Sequence, residues 1–356
     1  MTHKTFAYTV FTMVTAIVLL AAGFVYYMDP LWMFGSSHAF NDVQTVIDER
    51  QQKSDHIRFQ PFDYEALLIG SSRTTYINQH DFANEKVYNY AASNMSVREY
   101  KSFIEYAKQY NGKEFDTVYI GLDFFKSSIQ ESAAPRSLDH YIEKQNESFY
   151  RLKNTLSWDS VKYAWTNLKM SVADTAMEER NYNRENVAFA KKVPPEQIRK
   201  QTEKKIEKFK EKFYGESYQY NPEYANYLRE VKEMNPHTKF VAFTTPISTP
   251  LFQAMVESGR LPDYKRWLAD IVSVFGEVHN FMYPNSVTDD LGNYFDGHHF
   301  YPETGTLIAQ KLSNIPEKVP ADFGMIVTGD NLEDHLAIID SHSKLLAQEK
   351  PSVTIN

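Results

Sequence analysis

The chain has 356 residues, of which 42% are hydrophobic and 15% aromatic, enough to fill the core of one large domain or of a domain with insertions; it is neither disordered nor fibrous in composition. A net charge of -8 leaves no basic excess to neutralise phosphates, which sets nucleic acid aside as a partner. The absence of cysteine excludes disulfides, thiolate metal sites and a lipidated N-terminal cysteine, and suits an extracytoplasmic protein.

No charged residue occurs over 5–28, and the run Val14-Thr-Ala-Ile-Val-Leu-Leu-Ala-Ala22 has the density of a membrane-spanning helix. As a helix this stretch reaches roughly 36 Å at ~1.5 Å per residue, enough for a hydrocarbon core of about 30 Å. A cleaved signal peptide is the competing reading. The length of the stretch and the aromatic belt at Tyr26, Tyr27 and Met28 favour an uncleaved anchor. His3 and Lys4 precede it and no Lys or Arg follows until Arg50, so the remainder of the chain is expected outside the cytoplasm.

An aromatic juxtamembrane turn, Asp29-Pro-Leu-Trp-Met-Phe34, then leads into about thirty polar residues. Buried strands are predicted over 66–70, 86–92, 116–125, 238–246 and 277–282. Helices are predicted over 97–110, with Tyr100, Phe103, Ile104 and Ala107 on one face, and over 262–275 and 302–312. Strand, helix, strand in this rhythm argues for parallel pairing with crossover helices. Over 126–235 the rhythm gives way to polar helical sequence. Its stretch 194–213 carries Ile198, Thr202, Ile206, Phe209 and Phe213 as a narrow stripe beneath a mixed-charge face that reads as solvated. The expected organisation is therefore an anchor (1–30), a juxtamembrane linker (31–63), an α/β domain (64–125 and 236–315), a helical insertion able to cap it (126–235) and a peripheral tail (316–356) with an amphipathic segment over 332–346.

Two motifs carry the chemistry. In Ala66-Leu-Leu-Ile-Gly-Ser-Ser-Arg-Thr74 an apolar strand delivers Ser72 just beyond its carboxyl end, where open α/β sheets hold their sites. A serine hydroxyl needs a base, and the base an orienting carboxylate. Phe295-Asp-Gly-His-His-Phe-Tyr-Pro-Glu-Thr-Gly305 supplies both, with Asp296 placed to fold back onto the ring of His299. His298 is the rival base, or else an exposed or substrate-facing loop residue. The competing reading of the pair is a helix-capping Ser72 and a His299 packed beneath a loop. No two-His helix signature or ligand cluster suggests a metal, and no cofactor is expected.

Together these blocks resemble the SGNH/GDSL hydrolase superfamily over about residues 64–315. The resemblance implies a flavodoxin-like three-layer α/β/α sandwich with a parallel sheet. It implies Ser72 as nucleophile, with Ser71 where the family has aspartate, His299 as base and Asp296 as its orienter. In the family's second block, Asn89-Tyr-Ala-Ala-Ser-Asn94, Ala91 stands where a glycine amide would face the oxyanion. In the third, Gly121-Leu-Asp123 has aspartate where the family has an oxyanion-binding asparagine. Asp123 is then protonated, or bound to another group, or outside a hole made of backbone donors alone; pairing with Arg73 is the favoured expectation. Asn89, Asn94 and His298 complete the implied surroundings of the oxyanion and substrate. Single-pass proteins of this kind often serve O-acylation of cell-envelope polysaccharide beside a multi-spanning membrane O-acyltransferase. The resemblance thus implies a polysaccharide substrate, such a partner, and a catalytic domain on the outer face of a bacterial cytoplasmic membrane. A stand-alone lipid or carbohydrate esterase and a catalytically silent assembly module are the other expectations.

Overall fold

In the computed structural model, which describes residues 2–133, 137–173, 179–315 and 319–348, the chain gathers into two compact units. One joins Met1–Phe62 to Leu138–Lys191, the other Asp63–Ser137 to Lys192–Asn356. The span 126–235, expected as one insertion, is thus divided between them.

The first unit begins with helix α1 (His3–Met28), started by Thr2, whose hydroxyl accepts from the Thr5 N–H, and stopped at Asp29 by left-handed backbone. By length and composition it suffices to cross a membrane. The Asp29 carboxylate gathers the N–H groups of Met33 and Gly35 and the guanidinium of Arg184 at 2.7–2.9 Å, which turns the chain sharply as it leaves the helix. Residues 31–63, expected as a polar linker, are folded. They hold helix α2 (Glu49–Phe59), capped by Asp48 and buried along most of its length in spite of its polar sequence. Its side chains are hydrogen-bonded: Gln52 donates to the carbonyls of Pro30 and Thr45, and Asp55 accepts from Gln51, Gln145 and Tyr150. Apolar periodicity is blind to a core held by polar pairs. Helices α3 (Tyr150–Thr155) and α4 (Trp158–Ala173) and a small antiparallel sheet of Gln44–Thr45, Asn181–Tyr182 and Ala188–Phe189 complete the unit.

The second unit is mixed α/β around a six-stranded, mostly parallel sheet. Its strands are β1 (Ala66–Ile69), β2 (Val87–Asn89), β3 (Thr117–Leu122), β4 (Lys239–Thr244), β5 (Glu277–Asn280) and β6 (Met325–Thr328), in the spatial order β2-β1-β3-β4-β5-β6. The first five run parallel, and β6 lies antiparallel to β5. The order reverses between β1 and β3, the point at which doubly wound sheets open a crevice at their carboxyl edge. Crossover helix Val97–Asn111 forms where its apolar face predicts, opened by a Ser96/Glu99 capping box and closed by Gly112, with Tyr100, Phe103, Ile104 and Ala107 buried. Helix α5 (Pro195–Lys212) is present, as are Leu261–Phe275 and α6 (Pro302–Leu312). The described part of the tail is not peripheral. Met325–Thr328 extends the sheet, and the buried His335 side chain pairs with Asn280 at 2.7 Å. A four-residue edge strand is too short to show a period of its own.

Candidate active site

Strand β1 is wholly buried and is followed by Gly70, after which the backbone enters a 3-10 turn at Thr74–Tyr76. A Cβ on either Gly70 or Gly121 would come within 2.2 Å of Thr74 Oγ1, so both glycines are required for the turn to sit against the ends of β1 and β3. Ser72 is left half-buried at the carboxyl edge of the sheet, its carbonyl accepting from Thr75 Oγ1 at 2.6 Å.

The second motif forms a tight loop closed by a bridge between Tyr294 and Phe300. Gly297 takes φ +71°, and a Cβ there would press within 2.6 Å of Thr202, so the Asp-Gly turn admits no side chain. Asp296 Oδ1 accepts the N–H groups of His298 (3.0 Å) and His299 (2.6 Å), while Oδ2 lies 2.9 Å from His299 Nδ1. The Phe295 ring stacks on His299 with centroids 5.4 Å apart. Helix α6 holds this loop against the serine segment, because Gly305 lets it approach so closely that a Cβ would sit 2.4 Å from the Tyr76 carbonyl oxygen. His299 Nε2 then stands 3.0 Å from Ser72 Oγ.

Hydroxyl, imidazole and carboxylate are therefore in hydrogen-bonded sequence, the order in which a proton can leave serine and its charge be balanced. Burial pushes the Asp296 carboxyl up, but the charge and hydrogen bond of His299, with Lys205 and His298, outweigh it and hold Asp296 well below the usual carboxylate range. No family model matches the chain, and no curated protein sequence matches it.

The other residues singled out in the sequence fall in several places. Asp123 Oδ1 lies 2.5 Å from Arg73 Nη2 in a pair with side-chain exposures of 2% and 1%, deep enough that each charge depends on the other. The same carboxylate accepts from Ser71 and Thr245, and Arg73 Nη1 donates to the Thr245 carbonyl at 3.1 Å. The pairing with Arg73 expected for Asp123 is present. Ala91 departs from expectation: it is fully buried and its N–H donates to Asn89 Oδ1 at 3.0 Å, so this amide is committed to an Asx turn rather than offered to an oxyanion. Asn89 uses its amide group on the carbonyls of Thr74 and Ile77, which fixes the serine turn. Asn94 occupies an exposed left-handed turn, its Oδ1 taken by Lys126. His298 is not an exposed loop residue. It is buried between Phe125 and Phe209, and burial, Arg73 and His299 hold its pKa well below the ordinary histidine value, so it is neutral.

Sequence reasoning missed Lys205. From α5 its ammonium reaches Asp296 Oδ2 at 2.6 Å. The signal was present: Lys205 falls on the same helical face as Ile198, Thr202 and Phe209, inside the stripe rather than on the solvated side. Among the described residues no group of three or more His, Cys, Asp or Glu side chains is arranged to hold a metal ion.

Proposed function

We propose that the protein is a membrane-anchored serine esterase or O-acyltransferase of the SGNH/GDSL type, working through an acyl-serine intermediate on O-acyl groups of cell-envelope polysaccharide. The observation that carries this reading is the 3.0 Å approach of Ser72 Oγ to His299 Nε2, with Asp296 2.9 Å from Nδ1. The strand order β2-β1-β3-β4-β5 supports the flavodoxin-like sandwich that the family uses.

In the proposed reaction His299 removes the Ser72 proton as Oγ bonds to the ester carbonyl carbon. The tetrahedral oxyanion is met by backbone donors, the Ser72 amide among them, since the Asp123 carboxylate is filled by Arg73, Ser71 and Thr245. Collapse breaks the bond to the alcohol, which leaves with the proton from His299. Water or a sugar hydroxyl, deprotonated by His299 in turn, attacks the acyl-serine and restores the Ser72 hydroxyl. Helix α1 would serve as the single-pass anchor with both units outside the cytoplasm, beside a multi-spanning acyltransferase that supplies the acyl group.

The commitment of the Ala91 amide to Asn89 favours a second reading, a catalytically silent module of an acylation complex. One experiment separates them. Detergent-solubilised protein is treated with a fluorophosphonate probe beside Ser72→Ala. Labelling that depends on Ser72, with release of acetate from a simple acetyl ester, supports the enzyme; its absence in folded wild-type protein leaves the silent module. A sugar acceptor in the same assay divides transfer from hydrolysis.

A further inference from the structure

The first unit exposes large apolar side chains where a soluble surface would bury them. Trp158, Trp165 and Val172 on α4 are 69%, 54% and 67% exposed, and Phe149, Leu152 and Leu156, along α3 and its ends, are 74%, 54% and 49% exposed. These are not scattered. Residues 158, 165 and 172 recur every two helical turns and so share one face of α4, while Leu152 lies within α3 and Phe149 and Leu156 stand at its two ends. The opposite face of α4, with Ser160, Ala164, Asn167 and Met170, is already buried within the unit.

The position of the stripe is fixed by α1. Val25 and Met28 of α1 pack on Ala164, with Phe24, Val161 and Leu168 around them. Phe24 meets Trp165 ring to ring at 6.4 Å. Phe24 lies four residues before the end of α1, about 6 Å along its axis at ~1.5 Å per residue. Trp165 is therefore placed at the last turns of α1, a helix that ends in the exposed Tyr26 and Tyr27. Lys162, which also pairs with Asp159 at 2.9 Å, and Lys169, both exposed, flank the stripe one turn from Trp158 and Trp165.

We propose that α3 and α4 form a monotopic membrane-binding element that seats Phe149, Leu152, Leu156, Trp158, Trp165 and Val172 in the interfacial layer of the phospholipid leaflet where α1 ends. Apolar area continuous with a membrane helix, rimmed by indole rings and by lysines that reach headgroup phosphates, is the composition this layer selects. The element holds the first unit against the bilayer surface at a second line of contact. This inference rests on α1 spanning the bilayer and is independent of the esterase reading.

The full chain is reconstituted into phosphatidylcholine/phosphatidylglycerol vesicles containing a dibrominated phospholipid, and tryptophan emission is compared with that of Trp158→Phe/Trp165→Phe. Trp32 and Trp267 are 4% and 0% exposed, so the double variant is expected to lose most of the lipid-quenchable emission. A quenchable fraction unchanged by the double substitution overturns the proposal. Because the chain has no cysteine, nitroxides on Leu156→Cys and Val172→Cys give a second measure. Higher accessibility to oxygen than to a water-soluble relaxant is expected; the reverse, or shielding from both with cross-linked dimers that mark a second copy on the stripe, overturns it. A label on Val14→Cys reports insertion of α1 separately, and an α1 outside the bilayer overturns it as well.

Discussion

Lys205 Nζ lies 2.6 Å from Asp296 Oδ2, the oxygen that also faces His299 Nδ1 at 2.9 Å. One carboxylate oxygen thus serves an imidazole of its own loop and an ammonium from helix α5. In the proposed reaction Lys205 acts through Asp296, as a positioning residue.

Lys205→Met is expected to slow Ser72-dependent probe labelling about tenfold, the equivalent of ~1.4 kcal/mol, with Lys205→Arg retaining most of the rate. The pH profile distinguishes positioning from bulk stability. Lys205 is among the groups that pull the Asp296 carboxyl down, so its removal lets the carboxylate protonate at a less acidic pH. Labelling by Lys205→Met should fail earlier than wild type as pH falls; an unchanged acid limb with intact folding would assign Lys205 a structural role alone.

The Arg73–Asp123 pair is nearly inaccessible to water. Removing one partner strands the other, so Arg73→Met and Asp123→Leu are each expected to cost about 3–5 kcal/mol in denaturant unfolding. The double variant should be less destabilised than the sum of the two. Additive losses would mean that the charges do not depend on each other.

Gly305→Ala sets helix propensity against packing. Propensity favours alanine by about 1 kcal/mol, yet the added Cβ would sit 2.4 Å from the Tyr76 carbonyl oxygen, a backbone atom that cannot rotate aside. Overpacking should win, with a net loss of about 1–3 kcal/mol and slower labelling of Ser72 as α6 is pushed off the serine turn. Gly329→Ala, with nothing within 4 Å, serves as the unaffected control.

Burial pushes the Asp55 carboxyl up to about 7, against the hydrogen bonds from Gln145, Tyr150 and Gln51 that pull it down. A folded value above the ordinary 3.8 means that the folded state holds its proton longer, so this contribution is full below about pH 4 and is lost as pH rises through about 7. The Tm of the wild type should therefore fall relative to Asp55→Asn between those values. Parallel Tm curves would place the titration elsewhere.

The candidate site was legible wherever its signals are local. Gly70-Ser71-Ser72 at the end of an apolar strand, and Asp296 three residues before His299, are short-range patterns set by backbone geometry, and both loops take the form those patterns require. Lys205 was hidden because its partner lies on another element: a lysine inside an apolar stripe shows an irregularity without naming the carboxylate that answers it. The Ala91 amide was misjudged for the same reason, since the sequence shows an amide but not the Asn89 oxygen that has claimed it.

By itself the sequence determined the apolar N-terminal helix, the parallel strands β1, β3 and β4, the crossover helices and the two motifs, because hydrophobic period, caps and tight turns depend on neighbours a few residues away. Tertiary structure alone decided that Ser72 and His299 stand 3.0 Å apart, that polar α2 is buried, that 138–191 fold with α1, and that Met325–Thr328 joins the sheet. Those outcomes rest on pairings between side chains and strands distant in the chain, whose energies are settled only when burial brings the partners together.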